Sequence, residues 1–131
     1  MSPEIYWLIW SAALTALLWI PYGSYRIARI GFVRHVTDPL PGDDPFEHEW
    51  AHRAYRTHMN AIETLAVFAP VAVAVHVTGS SNEITAIAAA TYFWSRVAYV
   101  PIYIFKIPVL RPALFMVGLV STLVMAYQLI G

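Results

Sequence analysis

Charged residues interrupt this chain in a pattern that few folds can accommodate. Residues 5–25, 64–82 and 112–131 contain no Asp, Glu, Lys or Arg, and residues 84–105 contain only Arg96. A bilayer hydrocarbon core about 30 Å thick is crossed by about 20 apolar residues of helix. Each of these stretches meets that length, so the pattern predicts four transmembrane helices. Composition agrees, with 59% hydrophobic and 12% charged residues, about half the charged share (~25%) of an ordinary soluble domain. This argues against a soluble two-domain enzyme. Eight basic and eight acidic side chains cancel, which leaves no electrostatic footprint for nucleic acid. Cysteine is absent. Disulfide scaffolds, cysteine metal sites and a protein thiol nucleophile are therefore excluded.

The predicted architecture is all-α, an integral membrane four-helix bundle forming one domain over residues 1–131, with helices over about 4–34, 47–78, 83–106 and 112–130. The first stretch begins Met-Ser-Pro-Glu without Lys or Arg and carries Trp7, Trp10 and Trp19. It reads as a retained helix, since a signal peptide opens on basic residues and has a shorter apolar core. Pro21 is expected to kink that helix and not to end it. Thr37 to Pro45 is loop by composition. Pro70 and Pro101 fall inside the second and third helices, which membrane helices tolerate, and Pro112 suits the first position of the fourth. Arg26, Arg29, Arg34, Arg53 and Arg56 lie in the first connection, and Lys106 and Arg111 in the last. Both ends of the chain and the 79–83 turn have no Lys or Arg. The N and C termini are thus expected on the non-cytoplasmic side.

Two helices carry polar stripes. At 100° per residue, Glu49, His52, Arg53, Arg56, Asn60 and Glu63 share an arc of roughly 100° on the second helix. Tyr92, Arg96, Tyr99 and Tyr103 share about 60° on the third. A charge inside a membrane span is costly and marks a functional site that needs a partner; for Arg96 the expected partner is Glu63. Several guanidinium groups facing one carboxylate suit a small zwitterionic or polyanionic ligand, because arginine forks hold carboxylates bidentately. Other polar residues read more simply. Arg29 and Arg34 are topology determinants, Lys106 is a snorkelling anchor, and Tyr92 reads as an interfacial belt residue. His35 and His76 read as interfacial bystanders. His48 and His52 have i,i+4 spacing but no further ligand, so no metal site is expected.

Arg53-Ala-Tyr-Arg56-Thr-His58-Met-Asn60-Ala-Ile-Glu63, followed by Phe68, resembles the signature of the MAPEG family, membrane-associated proteins in eicosanoid and glutathione metabolism. Arg96-x-x-Tyr99-x-x-x-Tyr103 and Arg111 are similar to that family's third helix and the start of its fourth. Phe115-x-Val117-Gly118 and Met125-Ala126-Tyr127 resemble microsomal glutathione transferase. The resemblance implies a homotrimer in the membrane, with glutathione as cosubstrate bound between neighbouring subunits. It implies that Arg53 and Arg56 hold carboxylates or brace the site, and that Asn60 bonds the tripeptide backbone. Glu63 would pair with the amino group or with an arginine, and Arg96, Tyr99 and Tyr103 would line the cleft. His58, within the motif, and Arg26, at the end of the first helix, join the glutathione-binding set. Arg111 corresponds to the catalytic arginine that stabilises the thiolate.

The function so implied is a glutathione-dependent transferase or peroxidase acting on a lipophilic small-molecule electrophile that arrives through the lipid. The expected location is a bacterial inner membrane, ahead of the endoplasmic reticulum. An alternative is a non-enzymatic MAPEG-like module that binds lipid or another thiol. A small transporter fits less well, because the chain has no duplicated broken helices.

Overall fold

The computed structural model describes residues 1–37 and 49–131. Its helices, in chain order, are α1 (Pro3–Leu17), α2 (Trp19–Ile30), α3 (Phe32–Thr37), α4 (Glu49–Val77), α5 (Glu83–Ile104) and α6 (Leu110–Ile130). No strand occurs among the described residues. The α1–α2 span, α4, α5 and α6 form the four-helix membrane bundle. Pro3–Arg29, Glu49–Val77 and Leu110–Ile130 are long and apolar enough to cross a membrane. The 22 residues of α5 match that length, but Arg96 and the tyrosines dilute its apolar character.

The first span runs on past Pro21, as expected, with an interruption at Leu18 that proline chemistry explains. The helix breaks at Leu18, before Pro21, and resumes at Trp19. A proline ring clashes with the carbonyl four residues earlier and leaves it without a donor. For Pro21 that carbonyl belongs to Leu17, so the break falls one turn upstream. There the Leu18 N–H donates to Thr15 at 3.3 Å, a tighter turn. The helix also ends earlier than residue 34. Gly31, at φ 84°, closes α2 and turns the chain into the separate α3. Pro112 is the third residue of α6, not the first, because α6 opens at Leu110. Pro70 and Pro101 sit inside continuous helices. Of the expected Thr37–Pro45 loop, Thr37 is instead the last residue of α3; residues 38–45 and the start of the second helix at 46–48 lie outside the described residues.

The core forms where α4, α5 and α6 meet. Phe68 stacks on Tyr92 with centroids 4.0 Å apart, and Ala72, Val75, Ala88, Ala89 and Met125 surround the pair. Tyr92 is therefore a core residue, not a belt residue. Its hydroxyl donates to Thr64 Oγ1 at 3.1 Å, which removes the cost of burying it. Small residues let α5 and α6 approach closely: a Cβ on Gly118 would meet Ser95 Oγ at 3.2 Å. Trp7 of α1 packs on Phe93 and Trp94, at 5.3 and 6.2 Å.

One end of the bundle is fastened by uncharged donors around a single acid. Glu4 is fully buried. Its carboxylate accepts from Ser81 Oγ at 2.9 Å and from the Thr85 hydroxyl. Ser2 meets His76 Nδ1 at 3.0 Å, and Asn82 donates to Gln128 at 3.1 Å. Asn82 and Thr85 also form a reciprocal capping box that starts α5. These contacts bring both chain ends and the 78–82 turn together, opposite the end that carries Arg53, Arg56, Lys106 and Arg111. Glu4→Ala should leave the Ser81 hydroxyl without its acceptor and the Thr85 hydroxyl with the Asn82 carbonyl alone, at a cost of about 1.5 kcal/mol. Thermal unfolding of the detergent-solubilised protein measures it; an unchanged midpoint would show the clasp to be incidental.

Candidate functional site

The polar stripes of α4 and α5 face each other at the arginine-bearing end of the bundle. Between them lies a cleft of about 370 Å³ lined by Tyr55, Arg56, Met59, Asn60, Glu63, Tyr99, Tyr103 and Arg111. The residues arrive there by helical spacing. Tyr55 and Met59, Arg56 and Asn60, and Met59 and Glu63 are i,i+4 pairs on α4, and Tyr99 and Tyr103 are another on α5. The two tyrosine rings stack with centroids 5.5 Å apart. Arg111, at the start of α6, lies over the Tyr103 ring at 5.3 Å, within cation–π range. Among the described residues it has no acidic partner. Arg56 and Glu63 are exposed in the single chain.

A second cavity of about 210 Å³ adjoins the first and shares Asn60 and Glu63 with it. Thr64, Val67, Tyr92, Arg96, Phe115, Gly118, Leu119 and Thr122 complete its wall. This cavity is deeper in the bundle and mainly apolar. Arg96 stands where the two cavities meet, and is 4% exposed. Its NH2 group donates to Asn60 Oδ1 at 2.8 Å, and its guanidinium lies 4.3 Å from the Tyr99 ring centroid. Its Nε is buried without a hydrogen-bond partner. The partner expected from sequence was Glu63; the structure supplies Asn60 instead. Asn60 lies one turn nearer the arginine-bearing end of α4, level with Arg96 on the antiparallel α5. Glu63 is left as an open carboxylate at the junction of both cavities.

Three residues of the expected set are elsewhere. Arg53 turns away from the cleft: its Nε donates to the Ile104 carbonyl at 2.9 Å, and its NH1 meets Glu49 at 3.4 Å. It satisfies an orphan carbonyl at the end of α5 and so braces the turn that carries Arg111. His58 bonds the Tyr22 hydroxyl through Nδ1 at 2.6 Å, on the α2 side of α4. Arg26, one turn beyond Tyr22, is half-buried on α2 and does not line the cleft. Conversely, Tyr55 and Met59 line the cleft without having been expected there. Each sits one residue before a stripe residue, which widens the face by 100°.

In the i,i+4 histidine pair, His48 lies outside the described residues, and His52 Nδ1 is buried without a partner. Among the described residues no group of three His, Asp or Glu would hold a metal.

The paired arginine, amide, carboxylate and tyrosine positions can be compared with known proteins. The model of the MAPEG family matches residues 5–131, essentially the whole chain. The chain belongs to the MAPEG family. No curated protein and no solved structure matches it. MAPEG membership accords with the bundle and with an integral membrane protein of the glutathione-related transferase and peroxidase type in general. It does not assign individual residues, so within the family the cleft geometry carries the chemistry of this chain.

Proposed function

We propose that this MAPEG protein is a glutathione-dependent transferase or peroxidase for lipophilic electrophiles. One observation carries the reading: a polar cleft and an apolar intramembrane cavity share a wall at Asn60 and Glu63. The polar cleft fits glutathione by donor type. The tripeptide has two carboxylates, one ammonium and two amides. The cleft offers Arg56 and Arg111 as cations, Glu63 as an anion, Asn60 as an amide and three tyrosines. The unpartnered Nε of Arg96 adds a buried donor at the junction.

Bound glutathione would supply the sulfur nucleophile, which a chain without cysteine has to take from outside. Arg56 would grip a carboxylate in bidentate fashion, Glu63 would take the ammonium, and Asn60 would fix the backbone between them. Arg111 would hold positive charge beside the sulfur, lowering the thiol pKa from about 8.5. The adjoining cavity, walled by Val67, Phe115 and Leu119, would receive the electrophile from the bilayer.

The oligomer we propose is a homotrimer. Arg26 is outside the chain's own cleft and is best used at a neighbour's. The Tyr22–His58 bond then acts as a brace that sets α2, and with it Arg26, against α4. The compartment we propose is a bacterial inner membrane, with the basic loops facing the cytoplasm.

Calorimetric titration of the purified protein with glutathione tests the cleft. Arg56→Ala should weaken binding about tenfold, the loss of one charged hydrogen-bonding group, and conjugation of chlorodinitrobenzene should fall with it. If glutathione does not bind, the reading fails. If Glu63→Gln instead dissociates the oligomer with no thiol-dependent activity to lose, the non-enzymatic module is the right description.

A further inference from the structure

The turn between α5 and α6 contains an anomaly that the thiol reading does not use. Both ends of the α4–α5–α6 unit turn on the same backbone motif. After α4, Ser80 N–H donates to the Val75 carbonyl at 3.0 Å and Gly79 N–H to His76 at 3.2 Å. After α5, Ile107 N–H donates to Ile102 at 3.0 Å and Lys106 N–H to Tyr103 at 3.1 Å. Each is a Schellman closure, with one residue in the left-handed region. In the first turn that residue is Gly79, at φ 66°; in the second it is Lys106, at φ 58°. Glycine takes this conformation without penalty, whereas a residue with a Cβ does not. Three residues on, Val109 has φ 72° and ψ −47°. The Leu110 N–H reaches the Pro108 carbonyl at 2.8 Å around it, a γ-turn of the strained form. A β-branched residue at positive φ is rare. Such strain persists where the surroundings hold it, and an observed outlier is a pointer to function.

The consequence of this backbone is a further pocket beside the polar cleft, with which it shares Tyr103 and Arg111. Arg53, Ile102, Tyr103, Lys106, Ile107, Pro108 and Arg111 line a hollow of about 410 Å³. The left-handed turn brings Lys106 and Arg111 to the same hollow as Arg53. Arg53 is paired with Glu49, but Lys106 and Arg111 have no acidic partner among the described residues. The pocket therefore has a net positive charge. Its other walls are the apolar side chains of Ile102, Ile107 and Pro108, and it opens where a membrane helix ends.

We infer that this pocket binds the phosphate of an anionic glycerophospholipid, with Lys106 as the residue that selects it. The cations take the phosphate, and the acyl chains leave along Ile102 and Ile107 into the bilayer. A basic residue near an anionic leaflet contributes about 1 kcal/mol of attraction. Lys106 is then more than a snorkelling anchor: a glycine at its position would relieve the turn but remove the contact. Arg111 is shared with the polar cleft, so the test reads Lys106, which is outside that cleft, and contains no thiol.

The test titrates the full chain in neutral detergent with dioctanoyl phosphatidylglycerol, dioctanoyl phosphatidylcholine or inorganic phosphate, by calorimetry. Saturable binding of the phosphatidylglycerol is expected, with the phosphatidylcholine at least fivefold weaker. Lys106→Gln should weaken the phosphatidylglycerol about fivefold, the equivalent of that 1 kcal/mol. Arg29→Gln, which removes an exposed cation of α2, should leave it unchanged. Equal affinity for the two lipids would overturn the proposal. So would equal losses from Lys106→Gln and Arg29→Gln, which would mean diffuse surface charge. Inorganic phosphate binding as tightly as the lipid would overturn the lipid as the occupant.

Discussion

Arg111→Ala is expected to lower the rate of thiol conjugation about 30-fold at pH 7 and to restore much of it above pH 9. The direction follows from charge. The reactive form of a thiol is its anion, so a cation beside it lowers the pKa, and removing the cation returns it toward the free value of about 8.5. At pH 7 a thiol of that pKa is about 3% ionised, which sets the size of the loss. Raising the pH ionises the thiol without help, so the variant should approach the parent on the alkaline side. Arg111 is well placed for this role, over the Tyr103 ring and without a carboxylate to neutralise it. The decisive readout is the shape of the pH–rate profile. A rising limb displaced upward by about a unit or more, with glutathione affinity retained, indicates loss of thiolate stabilisation. A uniform drop at every pH would mean that Arg111 only shapes the turn. Arg111→Lys should keep part of the activity at pH 7, since it keeps the charge but loses the fork.

What could be read from the sequence was whatever follows from charge spacing and helical period. The charge-free stretches located the bundle, and i,i+4 and i,i+3 spacing on α4 put Arg56, Asn60 and Glu63 on one cleft wall. The remainder depended on reach and level, which periodicity does not encode. Arg53 shares the arc of Arg56, but it sits about one turn nearer the start of α4, level with the end of α5, and donates to the Ile104 carbonyl. Arg96 was recognised as a charge in need of a partner, yet which residue of α4 stood at its level depended on the antiparallel register. Tyr92 looked like an interfacial aromatic because tyrosines usually are. Its stack on Phe68 and its bond to Thr64 could be seen only once α4 and α5 were packed. The unusual backbone at Lys106 and Val109 had no sequence signal, because neither residue type announces positive φ.

Asn60→Leu is expected to destabilise the fold by about 3 kcal/mol, whereas Arg96→Met should cost little and the double substitution should lie within about 1 kcal/mol of the parent. The asymmetry follows from what each change leaves behind. Arg96 is 4% exposed, and its one hydrogen bond among the described residues goes to Asn60 Oδ1 at 2.8 Å. Replacing Asn60 by an apolar side chain of similar size leaves a buried guanidinium with only the Tyr99 ring to face. That is the costly outcome for a desolvated charge. Replacing Arg96 leaves a neutral amide at the edge of a polar cleft, where water can satisfy it. Removing both deletes the mismatch, so the coupling energy of the cycle should be large and should isolate the pair. Glu63→Gln supplies the counter-test. If Glu63 were the true counter-ion, that change would be the damaging one and Asn60→Leu would be mild. The structure orders them the other way, since Glu63 is an open carboxylate at the junction of the two cavities. Pairing Arg96 with an amide, and not an acid, leaves its positive charge uncancelled. A bundle that tolerates that cost retains an attraction for whatever anion enters the cleft, and this is where stability and ligand binding are expected to oppose each other.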